Sequence, residues 1–279
     1  MKYRVNNNGW IDTSEAIQLS VSTNDKIQIS CVCTKFENEN DVSLFNISTP
    51  FKIYGNIMSL LYGDDFVDKT DLTGHDKAVY CLFYKCSNIV DASNLILPAR
   101  ILSNSCYRNM MRDCTNLTGA PKLLATTLAE YCCFGMFHGC SSLTTAPELP
   151  ATTLASNCYR QMFYGCISLT TAPELPATIL VDSCYYMMFQ GCTSLTTAPE
   201  LPATTLVESC YQNMFSNCTS LNHITMLATK TSGNNYLGQW VYNVSSSGTF
   251  IKHPLMTKLS TVISGIPKGW TVEDYSQSA

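Results

Sequence analysis

Fifteen cysteines and four histidines are the residues best suited to chemistry in this chain, and their spacing decides which chemistry. Cysteines recur at 106, 132, 158, 184 and 210, and again at 114, 140, 166, 192 and 218, each series advancing by 26 residues. A catalytic thiol needs an accessible, low-pKa thiolate beside a base. Only Cys132-Cys133 with His138 comes near this in sequence, and Cys133 merely takes the place that Tyr159 holds in the next copy. His138 fills a position occupied elsewhere by Tyr164, Gln190 and Ser216, so it reads as an interchangeable surface site. His75, His223 and His253 are scattered. The pair Cys31 and Cys33 has soft-metal spacing, but it continues the apolar face of a strand and has no further ligands nearby. An odd cysteine total, with ten of them on two repeat positions, reads as a reduced, buried packing ladder rather than a disulfide framework.

Other chemistry is sought without success. The chain contains no Gly-x-x-x-x-Gly-Lys loop, no Gly-x-Ser-x-Gly elbow and no His-Glu-x-x-His. Glu148, Glu174 and Glu200 form a column of like charges that must face water or share a cation. Calcium takes roughly six to eight oxygens, and the flanking Thr144, Thr170 and Thr196 cannot complete that set. The column therefore reads as a solvated edge that deters strand pairing, with Lys122 placed beside Glu148. These readings call for no catalytic residue, no metal and no cofactor.

Positioning comes from a repeat. LPATTLASNCYRQMFYGCISLTTAPE (Leu149–Glu174) is followed by LPATILVDSCYYMMFQGCTSLTTAPE (Leu175–Glu200). Units copied at a fixed period must stack to bury their apolar faces. Invariance between copies marks the core: the leucines 117, 143, 169, 195 and 221, the methionines 110, 136, 162, 188 and 214, and Phe137, Phe163, Phe189 and Phe215. SLTTAPEL is the expected strand, closed or bulged by Pro147, Pro173 and Pro199. Leu154, Cys158, Met162 and Phe163 are spaced as on a helix, with Gly139, Gly165 and Gly191 where a helical turn would end. The fold class expected is an α/β repeat solenoid.

The flanks complete it. Residues 1–66 read as a β-rich module: a hairpin around Asn6-Asn7-Asn8-Gly9, then IQLSV, KIQISCVCT, LFNIST and FKIYGNIMSLLYG as strands, and a turn at Gly63-Asp64-Asp65. Residues 67–226 hold the repeats, beginning imperfectly with CLFYKCSNI. At Ile224-Thr225-Met226, which replace Ala-Pro-Glu, lies the expected last strand. Residues 227–279 read as a β cap with short strands at GTFIKHP and GWTVED, in which Trp240, Phe250 and Trp270 cover the open end.

Composition excludes some partners. Apolar residues make up 46% and charged ones 14%, with a formal net charge of −4. Between 106 and 218 four Lys/Arg stand against seven Asp/Glu, so no basic stripe invites nucleic acid or an anionic membrane. No apolar run is long enough to span a bilayer, and MKYRVNNNGWIDTSE carries no signal-peptide core. Localisation is left open. Sequons start at Asn46, Asn116, Asn217 and Asn243 and carry little weight without a secretory context.

Positions that change between copies are the candidates for recognition. They are Arg160, Gln161, Tyr164, Asp182, Tyr186, Glu208, Gln212 and Asn213, with Arg and Tyr the expected anchors. The pattern LPATTLxxxCYxxMFxGCxSLTTAPE over about residues 78–228 resembles the BspA-like branch of leucine-rich repeats, of the gut bacterial or phage type. That resemblance implies a curved stack with a strand face, and a role in adhesion to a protein or glycan on a cell surface. The alternative is a structural or host-attachment component of a phage virion, and a homo-oligomer stays open.

Overall fold

The fold is taken from a computed structural model, which describes the chain except residues 15–18, 21, 23, 33–44, 46, 232–234, 257, 258, 260, 262 and 277–279. The expected strands IQLSV and LFNIST fall partly on those residues and so lie outside the described ones, as does Cys33.

The amino-terminal hairpin forms. β1 (Lys2–Val5) pairs antiparallel with β2 (Ile11–Asp12) and, on its other edge, with β3 (Ile27–Ser30). Asn6 supplies the left-handed turn residue, at φ 56°. FKIYGNIMSLLYG is a strand only in its first half. β4 (Phe51–Asn56) stops where the Asn56 side chain accepts the Met58 N–H at 2.9 Å, and the single turn α1 (Ser59–Tyr62) follows. α1 ties the hairpin to the rest: Cys31 N–H donates to the Ser59 carbonyl and Gly63 N–H to the Cys31 carbonyl.

From β4 onward every ladder is parallel. β4 pairs with β5 (Ile89–Leu97), which pairs with β6 (Lys122–Leu123). At the far end β7 (His223–Met226) pairs with β8 (Thr249–Lys252), and β8 with β9 (Thr271–Asp274). Between these sheets the TTAPEL segments touch through single bridges such as Thr145↔Thr171. The reason is in the residues: Pro147, Pro173 and Pro199 cannot donate to a ladder. Where Ile224-Thr225-Met226 replaces Ala-Pro-Glu, donors return and a regular strand forms. β8 and β9 fall in GTFIKHP and GWTVED, the short strands expected in the cap, and they extend the same ladder past residue 226.

The helix-like spacing makes no helix. Among the described residues α1 is the sole α-helix, and CYxxMFxGC is a chain of overlapping turns. In the copy around Cys158, the N–H groups of Cys158, Arg160, Met162, Tyr164 and Cys166 each return to the carbonyl three residues back. The alternate N–H groups, of Asn157, Tyr159, Gln161, Phe163 and Gly165, cross instead to the carbonyls of 182, 184, 186, 188 and 190 in the next copy, at 2.8–3.1 Å. Each turn segment thus spends half its donors locally and half on its neighbour, so copies are tied edge to edge along the turns.

Such a ribbon needs a left-handed residue every fourth position. Asn157, Gln161 and Gly165 have φ of 56°, 56° and 70°, and the same triplet recurs at 183, 187 and 191 and at 209, 213 and 217. Gly, and after it Asn, tolerates this best, which explains Gly139, Gly165, Gly191, Asn213 and Asn217. The triplet also recurs at Asn235, Gln239 and Asn243, within the expected cap. There Asn213 N–H donates to the Gly238 carbonyl and Phe215 N–H to the Trp240 carbonyl, so another coil lies beyond residue 226.

Side chains follow the same period of four. Cys158 and Tyr159, then Met162 and Phe163, then Cys166 are buried, while Arg160-Gln161 and Tyr164-Gly165 turn outward. Phe137, Phe163, Phe189 and Phe215 stack with centroids 5.7, 5.6 and 5.7 Å apart and planes within 9°. Tyr159, Tyr185 and Tyr211 form a second column at 6.0 Å. The fourteen described cysteines are buried. Those of the second series donate back a copy, as Cys166 Sγ does to the Phe137 carbonyl at 3.1 Å. Trp240 continues the phenylalanine column at 6.1 Å from Phe215 and meets Phe250 edge-on.

One close approach pins the carboxy-terminal strands. A Cβ on Gly248 would lie 2.8 Å from the Asn222 carbonyl carbon and 2.9 Å from its Cα, and neither backbone atom can rotate away. Gly248→Ala is therefore expected to cost roughly 1–3 kcal/mol through strain where β8 leaves β7. Urea unfolding of the variant measures this.

Candidate functional site

The outward pairs build the face to which the changing residues belong. Arg160 and Tyr186 are brought together, the guanidinium carbon lying 4.4 Å from the ring centroid. Gln161 Nε2 reaches Met187 Sδ at 3.4 Å, its counterpart in the next copy. Tyr164 stacks on His138 with centroids 4.5 Å apart and planes 9° from parallel. Gln212 accepts a hydrogen bond from Ser209 Oγ at 2.9 Å, and Asp182 accepts one from Ser183 Oγ at 3.1 Å. Glu208 is exposed in the same column as Asp182. Gln161 and Asn213 sit at left-handed positions, so backbone demand as well as contact shapes their identity.

The strongest feature carries the column of Arg160 and Tyr186 back into earlier copies than the sequence candidates reached. At the position of Arg160 the successive copies carry Tyr80, Arg108, Phe134, Arg160 and Tyr186. The structure stacks them in that order. Arg108 lies 5.8 Å from the Tyr80 centroid and 4.7 Å from that of Phe134. Arg160 lies 5.7 Å from Phe134 on its way to Tyr186. Tyr131 adds a further ring 5.4 Å from Arg108. Each guanidinium is thus held between aromatic faces, a cation–π arrangement worth about 0.5–2 kcal/mol depending on its exposure. Aligning the two imperfect early copies at this one position would have exposed the alternation.

The neighbouring outward column holds Arg112, His138 and Tyr164. Arg112 Nε lies 3.7 Å from Asp113 Oδ2. His138 is half-buried; burial first, and the Arg112 charge second, push its pKa down to about 4, against a smaller opposing pull from Asp113. It is a neutral stacking partner, not an interchangeable surface residue. Unfolded, its pKa is about 6.5, so the folded form resists protonation. Its contribution is complete above about pH 6.5 and fades as pH falls towards 4. After discounting for solvent screening this amounts to about 1–2 kcal/mol. His138→Gln should flatten the loss of stability between those pH values, as measured by urea midpoints at pH 7 and pH 4.5.

The described thiols are buried, and the hydrogen bond with Cys132 first, then burial, push Cys133 well above its ordinary range. Among the described residues no group of three or more His, Cys, Asp or Glu side chains could hold a metal ion. Glu148, Glu174 and Glu200 are exposed along their edge, as is Lys122. No described helix is long and apolar enough to cross a membrane. What the arrangement offers is a firm outer surface of guanidinium edges, ring edges and amides. Comparison with protein-family models, with curated proteins and with solved structures finds no match to this chain.

Proposed function

We propose that the chain is a non-catalytic binding module, a solenoid of the BspA-like leucine-rich-repeat type, whose outward turn face contacts a protein or glycan on a cell surface. The observation that supports this is the division of labour between copies. Inward columns are nearly invariant and tightly stacked, while the outward column runs Tyr, Arg, Phe, Arg, Tyr, Gln on the same backbone. A backbone bonded from copy to copy holds those side chains at fixed separation, so a ligand meets a surface already ordered. Arg and aromatic residues are the types that carry interface energy.

The test is direct. Fluorescently labelled full-length protein is applied to a glycan array and to intact cell surfaces. Retention that is lost on substituting Arg160 and Tyr186 together by Ala, in a variant with native circular dichroism, supports the reading. Retention unaffected by that pair, or none on any surface, overturns it.

A further inference from the structure

Two cations on the outward face are built alike and stand a fixed distance apart. Arg108 and Arg160 both contact the Phe134 ring, at 4.7 and 5.7 Å from its centroid, so their guanidinium carbons are at most 10.4 Å apart. Tyr80 and Tyr131 flank the first, and Tyr186 flanks the second. In both residues Nε is enclosed and makes no hydrogen bond, which leaves the terminal nitrogens as the reachable edge. Arg160 Nη1 is steadied by Asn157 Oδ1 at 3.2 Å. Among the described residues neither guanidinium has a carboxylate within ion-pair distance, whereas the nearby Arg112 is taken up by Asp113.

A guanidinium clamped between rings has lost most of its rotamer freedom before any ligand arrives, so little further ordering is needed to bind. Its fork matches the two oxygens of a carboxylate. Two such forks held on one ring at a fixed spacing suit a linear polymer with anions at regular intervals. A folded acidic protein would need a larger complementary patch. Glu130, Asp182 and Glu208 are exposed in the bordering column, so a densely charged polyanion is disfavoured there and a sparsely charged one fits better. The tyrosine and phenylalanine edges add apolar contact for sugar rings.

We propose that the Arg108–Phe134–Arg160 stack binds a linear polysaccharide carrying a carboxylate on alternate sugars, one carboxylate to each guanidinium. This rests on the binding reading above and names the ligand class of that face. The probe is hyaluronate, with neutral dextran as control, measured by titration calorimetry with the full chain. Hyaluronate is expected to bind and dextran not to, and binding should weaken as salt shortens the screening length. Replacing both arginines by Gln should weaken binding at least roughly tenfold. Replacing both by Lys, which keeps charge but loses the fork, should give an intermediate value. Tight binding retained by the double Gln variant would overturn the proposal, as would equal binding of dextran or no binding of hyaluronate by the native chain. In the last case, retention on the glycan array or cells would show that the face binds something else, so the two readings fail separately.

Discussion

Titrated upward from pH 8, the protein is expected to lose its structure in one cooperative step between about pH 9 and pH 10.5. The cause is the thiol ladder. Burial pushes Cys166, Cys184 and Cys218 up to about 12 and Cys210 up to about 11. In the unfolded chain the same groups ionise near pH 8.5. Below that pH both states hold the proton, and the stabilisation by neutral thiols is complete. Above it the folded state binds more protons than the unfolded one, so stability falls with rising pH. Each thiol contributes about 1.4 kcal/mol per pH unit, and these four together about 5 kcal/mol per unit. A typical domain has only about 5–15 kcal/mol to lose. Tyr107, Tyr159, Tyr185 and Tyr211, also raised by burial, add to the slope at still higher pH. Thiolate absorbance and circular dichroism, followed together, should change in the same step. Thiols titrating singly near their ordinary pKa, with structure retained, would refute the expectation.

Phe163→Ala should cost about 3–5 kcal/mol in urea unfolding, the usual range for removing a fully buried phenylalanine. The ring stands between Phe137 and Phe189 at 5.7 and 5.6 Å, both nearly parallel to it. Its loss leaves a void lined by two rigid rings in mid-stack, where the crossing hydrogen bonds on either side hinder collapse. The adjacent Tyr164→Ala, on the outward side, removes a ring that, among the described residues, stacks on His138 alone. It should cost roughly 1 kcal/mol or less. The contrast between neighbours one residue apart is the informative quantity. Equal costs would mean that the inward and outward assignment is wrong.

Much of this was legible in the sequence because the copies serve as internal controls. Positions such as Phe163, Met162 and Cys166 never change chemical class across the clear copies, and they prove buried. The interruption of the TTAPEL strands was also readable, since proline removes the donor. The turn ribbon was not. Apolar residues at 154, 158 and 162 repeat every four residues in both a helix and this ribbon, so periodicity alone cannot separate them. The distinguishing signal was the run of Gly and Asn at 157, 165, 191, 213 and 217, which a helix would disfavour in its interior. The extra coil at Asn235–Asn243 was hidden because Trp240 replaces methionine and Val244 replaces cysteine, while its left-handed Asn residues kept the backbone pattern.

Of the candidate face, Arg160 and Tyr186 were found together because the clear copies vary there. Arg108 and Phe134 belong to the same column but sit in copies with other irregularities. Stacking then turned a set of changing residues into one alternating cation–ring series. His138 was misjudged for a related reason: its replacement by Tyr, Gln or Ser elsewhere says nothing of how the ring packs in its own copy.

The account depends on repeat side chains pointing inward, and the cysteines report on this most directly. Native protein is exposed to a thiol-reactive probe without denaturant, and peptide mass spectrometry reads each site. The cysteines at 106, 132, 158, 184 and 210 and at 114, 140, 166, 192 and 218 should remain largely unmodified over a period that labels all of them in urea. Rapid modification of most of these ten in the native protein would contradict it.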